Sequence, residues 1–357
     1  MLAAERALAV AEARVGVISQ EEADAVAAAC SGPFAIEALA EDERRVGNPV
    51  EPLVRALRAQ AERAHWGATS QDILDTAAAL VARDAGGLIV EELDGLARAC
   101  ADLADRYRGT VMAARTLLQQ AVPTTFGLKA ASWLVGVVHA RGRLEQTVRL
   151  PAQLGGAGGT LAALGDRGLD VLHAYVEELD LPEPILPWHT RRLPIAEVGG
   201  ALAVAAGFVG KIALDVALLA QTEVGEVREP AEGGSSTMPQ KRNPVGSALA
   251  RACALRARGA AGVLGAALDQ EHERAAGVWH AEWGALSDAL ALTGGAAAWM
   301  RETLEGLEVD VERMRANIAA DTLSEAERFG IDATVPEAYL GSAGAFVDRA
   351  LDFYRRR

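Results

Sequence analysis

Between Ile195 and Leu219 the apolar residues recur with a regularity that leaves few folds open. Ile195, Val198, Leu202, Ala205, Val209, Ile212, Val216 and Leu219 alternate steps of three and four residues. A mean period of about 3.5 residues over this length is the seam of a long bundle helix, since that spacing keeps one stripe facing the same neighbours. Ile89, Leu93, Leu96, Cys100, Leu103 and Tyr107 step in the same way. Few charges interrupt the other faces of the later stretch, so helices are expected all round it. A bundle completed by other subunits follows as the expectation. Half of the 357 residues are hydrophobic, only 4% are aromatic, and alanine dominates. That mixture suits closely packed helices better than sheets.

The remainder reads as helical with few exceptions. Leu8, Ala11, Val15 and Ile18 recur at helix spacing, with Gly16 a weak point, and Ser19 followed by Glu22 forms the pattern of a capping box. Gly47-Asn48-Pro49-Val50-Glu51-Pro52 breaks one helix and begins another. The helix after Asp72 is expected to be interrupted at Gly86-Gly87, and a final helix with a basic end runs through Phe346 to Arg355. The net charge of −14 and a pI near 5.0 argue against nucleic acid as a partner. The long apolar tract from Gly199 to Gln221 contains Lys211 and Asp215, which argues against a membrane span. Met1 opens directly into a charged amphipathic helix with no signal peptide in view. Cys30, Cys100 and Cys253 are odd in number and lack metal-ligand spacing, and His272 and His280 form no zinc pattern. Reduced thiols, a cytoplasmic location and no metal are expected.

Three stretches stand out from the helical pattern. Gly233-Gly234-Ser235-Ser236-Thr237-Met238-Pro239-Gln240-Lys241-Arg242-Asn243-Pro244 joins a pliable start to two prolines that stiffen its end around a basic tip. It reads as a lid over an anion or as a surface turn. His65-Trp66-Gly67-Ala68-Thr69-Ser70-Gln71-Asp72 reads equally as a helix cap or as an anion site at a helix N-terminus. Gln153-Leu154-Gly155-Gly156-Ala157-Gly158-Gly159-Thr160 lacks both the preceding strand and the Gly-Lys-Ser/Thr ending of a phosphate loop. A close approach or a bend between helices is the better reading.

The 233–244 stretch resembles the signature loop of the fumarase/aspartase superfamily, which includes class II fumarase and the adenylosuccinate and argininosuccinate lyases. The 65–76 stretch and Arg115-Thr116-Leu117-Leu118-Gln119-Gln120-Ala121-Val122-Pro123-Thr124-Thr125-Phe126-Gly127 resemble that superfamily's other two motif regions, in the same order. The resemblance covers nearly the whole chain. It implies an all-α protein with a helical N-terminal domain (1–84), a long central helical bundle (85–318) and a shortened C-terminal helical segment (319–357). It further implies a homotetramer whose active sites are shared between subunits, and cofactor-independent elimination or addition through a carbanion beside a carboxylate. By position, Ser235 is the acid/base at carbon, while Lys241 and Asn243 bind the substrate carboxylate and its developing charge. His65, Thr69, Ser70, Arg115, Thr116, Gln119, Arg192, Ser236, Met238, Arg242 and Arg274 are the implied substrate-binding residues. Leu193 stands where the family tends to carry an acidic residue, so a salt bridge beside Arg192 is expected to be missing.

Leu117 selects the branch. The lyases carry a histidine there that protonates the leaving group, and leucine cannot transfer a proton. An amine must be protonated to depart, whereas a carboxylate is already stable as an anion. A lactonising cycloisomerase, in which a substrate carboxylate adds to its own double bond, needs no acid at that oxygen. Gly47-Asn48-Pro49-Val50, Trp188-His189-Thr190 and Trp279-His280-Ala281-Glu282-Trp283 likewise resemble the bacterial 3-carboxy-cis,cis-muconate cycloisomerases of protocatechuate breakdown. The implied substrate is a tricarboxylate. The rivals are an amine- or amidine-releasing lyase of the adenylosuccinate type and a noncatalytic helical scaffold.

Overall fold

The computed structural model describes residues 1–230, 234, 237, 238 and 241–356. The chain opens with α1 (Leu2–Arg14), α2 (Gln20–Cys30), α3 (Ile36–Val46) and α4 (Val50–Arg58), followed by the 37-residue α5 (Ser70–Arg106). A hairpin of β1 (Val111–Thr116) and β2 (Gln119–Thr125) leads into α6 (Phe126–Thr147), α7 (Gly168–Leu179) and α8 (Leu193–Leu219). Next come β3 (Val227–Arg228), α9 (Val245–Ala266), α10 (Val278–Glu305) and β4 (Glu308–Val309), which pairs antiparallel with β3. The short α11 (Val311–Ala316) and α12 (Ser324–Arg328) precede α13 (Ala343–Arg355). The architecture is all-α with two small two-stranded ladders.

The chain divides into two compact units, each gathered from three stretches. The first comprises Met1–Gly86, Gln146–Val198 and Val263–Trp283. Its N-terminal core is built from Ala9, Ile18, Val26, Leu53, Leu57 and Ala64, with α1 packed on α2 and α7. The capping box at Ser19 is present: its hydroxyl accepts the Glu22 amide at 3.2 Å, and the Glu22 carboxylate accepts the Ser19 amide at 2.7 Å. The break expected at Gly86-Gly87 does not occur, and α5 runs through it as one helix. A Cβ on Gly86 would lie 2.5 Å from Cγ1 of Val148, so this glycine admits a neighbouring segment and does not end the helix.

The second unit comprises Gly87–Glu145, Gly199–Gly262 and Gly284–Arg357. Here Ile89, Leu93, Leu96, Cys100 and Leu103 of α5 are buried, and Phe126 sets its edge against Tyr107 and Trp133. All eight residues of the α8 seam, of which Ile195 and Val198 are counted with the first unit, are buried, each larger one contributing about 2 kcal/mol of transfer free energy. By length and composition α8 is apolar enough to cross a membrane. Its seam is nevertheless covered by protein, Lys211 pairs with Asp215, and the Trp133 indole donates to the same Asp215 at 2.7 Å. Away from the seam, Val204 and Leu214 of α8 and Leu249 and Leu255 of α9 are exposed on the single chain.

Candidate active site

The first motif region is organised by Asp72, which is fully buried near the start of α5. Its carboxylate accepts amides from Thr69, Gly155 and Gly156, each at 2.9 Å, and lies 2.7 Å from Nε2 of His189. The anion held by the glycine-rich stretch is therefore the protein's own carboxylate. Close approach is the role of two of those glycines: a Cβ on Gly156 would lie 2.9 Å from the Gly67 carbonyl, and one on Gly155 would lie 2.8 Å from Pro187 and His189. Thr69 and Ser70 sit half-buried at the N-terminus of α5, where free amides favour an anion. His65 occupies the left-handed region at φ 61°, with Nδ1 2.7 Å from a carboxylate oxygen of buried Glu5.

Arg192 is 2% exposed. It pairs with Asp75 at 2.7 and 3.0 Å and with Glu282 through both Nε and Nη2. Burial would lower its pKa, but Asp75 and Glu282 reverse this and hold the guanidinium above its ordinary value. The Trp279 indole donates to Asp75 at 3.0 Å, the Gln270 amide donates to Glu282 at 2.8 Å, and the Trp188 ring lies against the guanidinium. The salt bridge expected to be missing beside Leu193 is thus replaced by two from other segments. Arg274 differs in kind. It donates to the Gln71 side-chain oxygen and to the carbonyls of Gly156 and Ala157, all neutral acceptors, so its positive charge is uncompensated by these partners.

The second motif region is the β1–β2 hairpin, a feature the sequence reading did not anticipate. Thr116 pairs with Gln119 across a two-residue turn in which Leu117 and Leu118 take φ of 50° and 64°. Such turns favour Asn-Gly, and the left-handed region costs an L-residue about 1–2 kcal/mol. Leu117 is 97% exposed and Leu118 76%. Arg115, opposite Gln120 and one step back from the tip, makes a two-pronged pair with buried Glu226 at 2.6 and 3.0 Å. The Asn317 amide donates to the same carboxylate at 2.9 Å.

Ser235 and Ser236 of the third region lie outside the described residues. Met238, Lys241, Arg242 and Asn243 line a cavity of about 1070 Å³ in the second unit, facing Glu223, Arg228 and Glu229 before α9 and Glu308, Asp310 and Glu312 near β4. The Lys241 amide donates to the Met238 carbonyl at 3.0 Å, and the Asn243 carbonyl accepts the Val245 amide at 2.9 Å where α9 begins. Among the described residues Lys241 makes no ion pair.

Sequence reasoning singled out the cations and assigned no role to the buried carboxylates. Asp75 and Glu282 lie within stretches that resemble the family, yet nothing local marked them as partners of Arg192, and Glu226 and Glu229 lie outside every quoted stretch. For that second pair the usable signal was Glu226 and Glu229 standing three residues apart just before the signature loop.

A family model described as lyase matches residues 1–259. A 3-carboxy-cis,cis-muconate cycloisomerase of Bradyrhizobium diazoefficiens is 48% identical over 353 residues, covering 92% of this chain and 78% of that protein. A nitrosuccinate lyase of Streptomyces davaonensis is also 48% identical, over 339 residues, 89% of this chain and 72% of that protein. Among solved structures, a 3-carboxy-cis,cis-muconate lactonizing enzyme from Pseudomonas putida superposes with a TM-score of 0.92 at 36% identity, covering 99% of this chain and 93% of that one.

Proposed function

The chain belongs to the lyase family of the fumarase/aspartase superfamily, and from that premise we propose that it is a cycloisomerase closing 3-carboxy-cis,cis-muconate to a carboxymuconolactone in protocatechuate breakdown. The observation that carries this reading is Leu117, a side chain without an exchangeable proton at the turn of the second motif region. Relatives named 3-carboxy-cis,cis-muconate cycloisomerase, 44–48% identical, support it.

One carboxylate of the substrate adds to the double bond, and negative charge collects on the carboxyl group beside the new carbanion. Lys241, with Asn243 as a hydrogen-bond donor, stabilises that charge. In a closed, dry site such a contact is worth several kcal/mol, on the order of 3. Ser235 then delivers the proton to carbon, its alkoxide held by loop amides and Lys241. Arg274, whose charge no carboxylate balances among its named partners, holds another carboxylate beside Thr69 and Ser70. Arg115 and Arg192 already carry carboxylates of their own, so their part is to position. Thr116 and Gln119 flank the hairpin tip, and Met238 and Arg242 border the cavity. The reaction uses no cofactor or metal.

The working unit we infer is a cytoplasmic homotetramer in which the three motif regions of each site come from different copies. The exposed Leu117-Leu118 tip and the uncovered apolar residues of α8 and α9 support it. The equal similarity to a nitrosuccinate lyase favours a second reading, elimination from a substituted succinate whose leaving group departs as a stable anion. Following the ultraviolet absorbance of 3-carboxy-cis,cis-muconate separates the two. Loss of the conjugated chromophore is expected on adding the enzyme, and fumarate release from a substituted succinate with no such loss would overturn the cycloisomerase reading.

A further inference from the structure

Helix α9 begins directly after the signature loop, and the residue before it is Pro244, which has no side-chain acceptor for the free amides of the first turn. Those amides are served from the other end of the loop. Glu229 is 6% exposed and lies just before Pro230; its two carboxylate oxygens accept the amides of Gly246 at 2.8 Å and Ser247 at 3.0 Å. Among the described residues no lysine or arginine pairs with Glu229, so backbone amides and the positive end of α9 hold its charge. Gly246 leaves room for this: a Cβ there would lie 2.1 Å from Oγ1 of Thr303 and 3.2 Å from the Glu229 carboxylate.

The entry of the loop is fixed independently. Glu226 is tied to Arg115 and Asn317, its carbonyl accepts the Asp310 amide at 3.0 Å, and Val227 and Arg228 pair with Val309 and Glu308. Pro230 packs over Gly306, where a Cβ would sit 2.6 Å from the proline ring. Among the described residues, the Glu229 carboxylate ties the exit to this fixed entry across the loop. Lys241 and Asn243 lie within a few residues of the amides it grips.

We propose that Glu229 is a positioning residue that clasps the exit of the signature loop to its entry and so sets where Lys241 and Asn243 are presented. The inference rests on the reading of that loop given above. A cap that served only helix stability would be lost with a proportionate fall in melting temperature and little change in turnover of the folded enzyme. A clasp acts on the geometry of the charged transition state, so its loss appears in kcat more than in KM.

Glu229→Gln tests this, because the amide NH2 places a donor against a backbone N–H where the carboxylate offered an acceptor. In the full-length enzyme, exchange of the Gly246, Ser247, Lys241 and Asn243 amides is expected to quicken by about 10-fold or more. Turnover of 3-carboxy-cis,cis-muconate is expected to fall by at least about 10-fold in kcat with KM within about threefold. Glu229→Ala, which removes both acceptors, should exceed both effects. Unchanged exchange at these amides would overturn the clasp, as would normal kcat in a variant whose only change is a lower melting temperature. Should the unaltered enzyme fail to turn over this substrate, the functional reading falls, while the exchange measurement, which needs no substrate, still decides the clasp.

Discussion

Leu117 and Ser235 divide the chemistry of a single proton. Under the proposed mechanism no acid is needed at the attacking carboxylate, and the only proton delivered goes to carbon. Ser235→Ala should therefore lower kcat by about 10²–10⁴-fold while KM changes little, because the cations that bind the carboxylates remain. Leu117→His should bring no gain, since no acid is needed at the attacking carboxylate. Steady-state kinetics of the two variants checks both statements. A large rate increase from Leu117→His, or near-normal turnover by Ser235→Ala, would refute the assignment of roles. The arginines show the complementary lesson. Arg192 and Arg274 look alike in the sequence, yet one is neutralised by two buried carboxylates and the other meets only neutral oxygens.

Among the elements, α1 carries a liability. Glu12 is 1% exposed, and neither of its carboxylate oxygens has a hydrogen-bond partner. Burial, reinforced by Glu5 and opposed by Arg63, pushes its carboxyl from 4.5 up to about 9. The folded protein thus holds a proton that the unfolded chain releases near pH 4.5. The contribution of Glu12 to stability is therefore fully present below that value and is lost as pH rises, the loss levelling off above about 9. Glu12→Gln removes the decline, so its advantage over the natural chain should grow with pH to about 3 kcal/mol at pH 7. Urea unfolding at several pH values measures this, and a pH-independent difference would show that Glu12 is not held protonated. In α5, by contrast, a residue that weakens helices serves packing: Gly86 admits Val148, and the helix continues.

For the whole molecule, the exposed apolar residues set the expectation. Leu117 and Leu118 at the hairpin tip, Val204 and Leu214 on α8, and Leu249 and Leu255 on α9 would each leave water on assembly. Sedimentation at micromolar concentration should show a species about four times the 37.3 kDa of one chain. A stable monomer with full activity would exclude shared sites.

The bundle was legible in the sequence because helical periodicity is a local property: the α8 seam, the Ser19–Glu22 box and the three motif regions each lie within a short run of residues. The motifs also pointed to the superfamily. The hairpin was not legible, since its strands are short, its turn is Leu-Leu rather than Asn-Gly, and one strand contains Pro123. Nor were the partners of the charges. Arg192 meets Asp75 across 117 residues and Glu282 across 90, and Arg115 meets Glu226 across 111. A buried charge is tolerable only beside a partner, and which partner arrives depends on the distant segments that packing brings together. The sequence alone determined that this chain builds long helices and carries the superfamily's motifs. Tertiary structure alone decided which cations are spent on holding the fold and which stay uncompensated.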